Sequence, residues 1–124
     1  MPSNECIPYS ETSDLTFLAT GAVTGKRCVT ISDTRSGENY RAAHTSAGAK
    51  ATGVAAYDVA SGAFGQMIGT PGRVVPITAG GTISAGAEVE VGSNGQVIAY
   101  SSGIKVGQAL DAGTNGNDVR VKLY

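Results

Sequence analysis

Two series of glycines, each interleaved with short apolar runs, constrain this chain more than anything else in it. They stand at Gly25, Gly37, Gly53 and Gly62 in the first half and at Gly86, Gly95, Gly107 and Gly116 in the second. In the second series they punctuate strand-like segments at 88–91, 96–100, 104–110 and 119–123, with a hairpin turn at Ser93-Asn94-Gly95. The first series repeats the rhythm more loosely across 27–31, 40–42, 53–57 and 65–68. A repeated strand–turn–strand pattern with no helical segment between the copies predicts an all-β unit. A chain spent on such repetition has little sequence left for catalytic apparatus.

Short segments about 8–12 residues apart, separated by turn signals, predict a small β-barrel or sandwich of short antiparallel strands with an extended N-terminal arm. The arm covers 1–14, and 15–124 read as a single β-rich domain with a loose internal repeat, opened by a strand at 15–19. Thr70-Pro71-Gly72-Arg73 has the chemistry of a type II turn, Pro fixing φ at its second position and Gly supplying positive φ at its third. Pro76 places the strand that follows at a sheet edge or a bulge. The polar run Ser32–Gly37 reads as a turn, and the Ala-rich stretch 43–51 as a loop, since Gly48 and its Ser and Thr residues oppose a helix.

Glycine accounts for 18 of 124 residues and Trp for none, against a usual glycine share of about 7%. The apolar complement is mostly Ala, Val and Ile, with Phe17 and Phe64 the only phenylalanines. Small side chains make thin cores, and such proteins gain stability from a partner surface or from their own oligomer. Nine basic and ten acidic residues are interspersed, so no basic patch points to nucleic acid. No apolar run approaches the ~20 residues of a membrane span. The N-terminal residues lack the pattern of a signal peptide, which predicts synthesis and folding in a cytoplasm.

The arm combines Pro2, Cys6, Ile7, Pro8 and Tyr9 with polar residues and no periodicity. Such a segment has no fold of its own and orders as an extended strand on a partner, which makes these five residues its candidate contacts with a capsid or a neighbouring subunit. Cys6 and Cys28 are too few for a disulfide scaffold and lack metal-ligand spacing. Strand alternation sets Cys28 on the face opposite Val29 and Ile31, turned from the main core. There the arm of its own chain or of a neighbour could bring Cys6 against it, making Cys6 and Cys28 a candidate disulfide. Two reduced thiols without a role are the alternative.

Glu88 and Glu90 are the only closely paired carboxylates in a regular element, ~6.6–7 Å apart along one strand face, within reach of a hydrolytic acid–base pair. Arg120 and Lys122 alternate in the same way on the last strand, so a solvated ladder of opposite charges accounts for all four better. His44, the only histidine, has Thr45, Ser46 and Asp58 within sequence reach but no nucleophile motif around it, and reads as a surface residue. One His and two distant Cys cannot close a metal site, and no glycine cluster forms a phosphate loop. The sequence predicts no enzyme: no catalytic, cofactor-binding or metal residues, and no cofactor.

The run Gly21–Val29 resembles a known family, as do the segments from Gly53, Gly81–Val89, Asn94–Val97, Lys105–Ala109 and Asp118–Leu123, taken in that order. The family is that of the small capsid decoration (cement) proteins of tailed bacteriophages and prophages, and the likeness covers about 15–124. It implies a non-enzymatic β-rich protein on the outer capsid surface of the virion. It also implies the major capsid protein as partner, a homotrimer at three-fold or quasi-three-fold positions, and stabilisation of the shell. Two other classes compete. A carbohydrate- or surface-binding β-module on a virion or cell would use Tyr40, Tyr57, Tyr100 or Tyr124 as platforms, and an enzyme would rest on Glu88 with Glu90, or on His44.

Overall fold

The computed structural model describes residues 14–124. Pro2, Cys6, Ile7, Pro8 and Tyr9, and with them the expected arm contacts, lie outside the described residues. The chain is all-β apart from one 3₁₀ turn at Ser93–Gly95. The first five strands are β1 (Leu15–Ala19), β2 (Cys28–Ser36), β3 (Asn39–His44), β4 (Gly53–Ala55) and β5 (Phe64–Ile68). They close into a barrel in the order β1-β3-β2-β4-β5. The next five are β6 (Val74–Thr78), β7 (Glu88–Val91), β8 (Val97–Ala99), β9 (Lys105–Ala109) and β10 (Asp118–Leu123), in a sheet ordered β6-β10-β9-β7-β8. Read as a ring, the second sheet has the strand order of the first. Its closure between β6 and β8 is reduced to one parallel bridge, Ala79 to Val97. The β1–β3 pairing is parallel too, in an otherwise antiparallel fold.

The two copies share their backbone hydrogen bonds residue by residue. Val23 and Val59 exchange amide–carbonyl bonds of 2.8 Å in the first, and Ile83 and Gly113 exchange bonds of 2.9 Å in the second. Gly62 donates to Ala19 and Gly116 to Ala79, both at 2.8 Å. Gly53 lies opposite Val29, and Gly107 opposite Val89. The equivalent hairpins turn at Gly37 (φ 61°) and Gly95 (φ 75°), and Gly62 (82°) and Gly116 (84°) are likewise left-handed. Gly25 breaks the correspondence: the left-handed site of Gly86 (φ 87°) is held in the first copy by Lys26 (φ 61°). Gly25 serves close packing instead, since a Cβ there would lie 2.8 Å from the Tyr57 Cα.

Strand alternation fills two cores. Phe17, Val23, Val29, Ala42, Val59 and Met67 pack in the first barrel, and the second holds Ile77, Ile83, Val89, Val97, Val119 and Val121 among others. Cys28 and Val54 belong to the first copy but pack in the second core. The expectation that Cys28 faces away from the core is therefore corrected. It does point opposite Val29, but that face is covered by the other copy and Cys28 is fully buried, whereas Ile31 is exposed.

Two further expectations are corrected. The supposed turn at 32–37 is mostly strand: β2 runs to Ser36 and pairs with β3 through two register shifts. Its polar residues are tolerated because this end projects from the barrel with every residue from Ile31 to Asn39 exposed. The turn at 70–73 forms as expected, with Gly72 at φ +83° and the Arg73 amide donating to the Thr70 carbonyl at 3.2 Å. Pro76 lies in β6, whose only ladder partner is β10, so its missing amide leaves no gap.

Candidate functional site

The paired carboxylates separate. A register shift between Val89 and Glu90 breaks the alternation of β7, and Glu90 turns inward to 5% exposure. Its carboxylate accepts the amides of Ser101 and Ser102. These bonds, the Ser101 amide foremost, hold its pKa below the usual carboxylate range. Glu88 stays at the surface, accepting the Tyr124 hydroxyl at 2.7 Å and pairing with Lys105 at 3.1 Å, which lower its pKa in that order. The expected ladder with Arg120 and Lys122 does not form, because β9 lies between β7 and β10. Arg120 approaches Asp111 instead, at 4.0 Å.

His44 ends β3 and is half-buried rather than a free surface residue. Its Nε2 accepts the Thr24 amide at 2.9 Å, so the ring is neutral with its proton on Nδ1. Burial, then the nearby Arg27 cation, lowers its pKa. Thr45 is buried, its amide donating to the Cys28 carbonyl, and Asp58 caps the Gly25 amide at 2.8 Å. None of the three is placed as a nucleophile for His44. Cys28 is a free thiol whose pKa burial pushes up to about 12. Its candidate partner Cys6 lies outside the described residues.

The exposed side chains point to recognition instead. Where the two barrels meet, a cleft of about 110 Å³ has an apolar floor of Val54, Val106 and Leu123, with Ile104, Lys50 and Lys105 around it. Tyr124 completes the wall, its hydroxyl fixed by Glu88 and its amide bound to the Val106 carbonyl. The Lys105 ammonium sits 5.1 Å from the Tyr100 ring centroid, in cation–π range. Sequence reasoning missed this cleft because its walls come from loops and strands of different copies. On the outer wall of the first barrel, Leu18 lies opposite Phe64, which is 56% exposed. The projecting β2–β3 hairpin adds the surface pairs Arg41–Asp33 and Arg35–Glu38.

Among the described residues, no three His, Cys, Asp or Glu side chains gather as a metal site, and no helix is long and apolar enough to cross a membrane. The family model for phage cement proteins matches residues 7–123. No curated protein matches. Among solved structures, the chain is similar to the head fiber gp8.5 N base in bacteriophage phi29. The TM-score is 0.77 and the identity 21%, over 90% of this chain and 92% of that one.

Proposed function

Because the chain belongs to the phage cement protein family, we propose that it binds the outer surface of a phage head shell and braces it. In this reading it contacts the major capsid protein at three-fold or quasi-three-fold positions as a homotrimer. Its place is the virion capsid and its role a structural one on the phage head. The observation that carries the proposal is the extent of the family match, which takes in both barrels. The side chains agree with it. Glu88, Glu90 and His44 are engaged in holding the scaffold, while Phe64, Ile104, Leu110 and Tyr124 are about half exposed. Exposed aromatic and aliphatic anchors on a rigid scaffold suit an interface.

The test is to add the purified protein to expanded capsids that lack it and count bound copies by electron microscopy. Density in threes around three-fold axes is the expected result. Absence of binding, or density elsewhere on the head, refutes the reading.

A further inference from the structure

The inter-barrel cleft has an apolar floor open to solvent, and the first described strand aims the preceding chain at it. β1 runs antiparallel to β5 with Leu15 opposite Met67. Traced backwards, the chain before Leu15 therefore heads along Ile68 towards Gly69, which lines the cleft. A second contact fixes the same approach. Asp14 pairs with Arg73 at 3.2 Å, and the Arg73 carbonyl accepts the amide of Leu123, a floor residue, at 2.9 Å.

The charges are complementary. Residues 1–13 carry Glu5 and Glu11 and no Lys, Arg or His. Lys50 at the cleft is exposed and has no hydrogen-bond or ion-pair partner among the described residues, and Lys105 stands across from it. The segment also has the apolar side chains that the floor requires, Ile7 and Tyr9. Tyr9 lies six residues before Leu15, a reach of about 20 Å for extended chain.

We propose that the segment 5–11 of the same chain occupies the cleft between the two barrels, with Ile7 and Tyr9 over Val54, Val106 and Leu123 and its carboxylates towards Lys50 and Lys105. The segment then closes the seam between the copies from outside and covers the least protected apolar surface of the molecule. A neighbouring chain has no such tether. The strand direction at Leu15 therefore favours the intramolecular arrangement over exchange between subunits.

The experiment replaces Tyr9 with the photo-crosslinking residue p-benzoylphenylalanine in the full chain, irradiates the protein, and maps the adducts by mass spectrometry. The expected product has monomer mass, with Tyr9 joined to the segments 50–54, 104–106 or 123–124. The exposed variant Lys50→Glu should lower that yield about threefold, as loss of a surface ion pair does, and Glu11→Lys added to it should restore the yield. Adducts between chains, adducts at other sites, or no adduct would each overturn the proposal. Circular dichroism on each variant separates loss of docking from loss of fold.

Discussion

Lys26 occupies, in the first barrel, the position that Gly86 occupies in the second. The Lys26 amide donates to Ala55 at 2.9 Å and the Gly86 amide to Ala109 at 2.8 Å, and both residues are left-handed. Nothing lies within 4 Å of a Cβ built on Gly86, so conformation alone makes glycine suitable there. Lys26 accepts the strain and gains two ties to the other copy: its ammonium pairs with Asp118 at 2.8 Å and its carbonyl accepts the Thr78 amide at 2.8 Å. The pairing with Asp118 raises its pKa.

Gly86→Ala should therefore lower stability by about 1–2 kcal/mol, the cost of placing a Cβ in the left-handed region. Lys26→Gly and Lys26→Ala both lose the ion pair, and only alanine keeps the strain. Lys26→Gly should unfold at higher urea than Lys26→Ala. The reverse order in equilibrium denaturation would show that the conformation is not what limits the site.

Gly103→Ala should destabilise by about 1–3 kcal/mol through overpacking. A Cβ at Gly103 would meet the Glu90 carboxylate and lie 2.7 Å from the Gly48 Cα, a backbone atom that cannot swing aside. Gly81→Ala, where nothing lies within 4 Å, is the control and should be near neutral. Equal thermal midpoints for the two variants would contradict this packing.

His44 gives stability a pH dependence whose sign follows from its depressed pKa. The neutral ring contributes fully above the unfolded value of 6.5. That contribution is lost as pH falls below this value and through the folded pKa, because protonation removes the acceptor for the Thr24 amide. Urea midpoints should fall on acidification from pH 7 to 5, and His44→Gln, which retains an acceptor, should flatten that interval. An unchanged slope in the variant would place the titration elsewhere.

Cys28 should resist thiol reagents in the folded protein, being fully buried with a pKa of about 12. In a Cys6→Ser background, labelling at pH 8 should run at least tenfold slower than in denaturant. Cys28→Ser should cost about 1–3 kcal/mol by placing a hydroxyl in an apolar site. Fast native labelling would mean that the seam between the copies opens.

Phe64→Ser should leave the melting curve unchanged while weakening capsid binding at least tenfold, about 1.4 kcal/mol. The ring is 56% exposed and supports neither core cluster. Cosedimentation with capsids measures the effect, and undiminished binding would move the interface off this face.

Glycine and valine spacing carried much of this fold, because ladder positions and tight turns each impose a local requirement that one residue type meets. The turns at Gly72 and Asn94-Gly95 were legible for that reason. The fate of Cys28 was not, because alternation says which side a residue faces and not what covers that side. Glu90 escaped because one register shift between Val89 and Glu90 inverts the phase on which the ladder argument relied. The length of β2 escaped because its outer half projects into solvent, where polar side chains fit a strand as well as a turn. The inter-barrel cleft left no local signal, since Lys50, Ile104 and Tyr124 meet only after both barrels close.

The turn from Thr70 to Arg73 does more than reverse the chain. All the strand ladders run within a copy, none across, so among the described residues this stretch is the one covalent joint between two otherwise self-contained rings. A protease nick there would leave every ladder hydrogen bond intact. The pieces would then be held by Cys28 and Val54 in the opposite core, by Lys26 on Asp118, and by Gly48 between Val91 and Ile104. The protein is in that respect a heterodimer joined end to end, and its resistance to coming apart is set by those few side chains and backbone contacts rather than by the sheets.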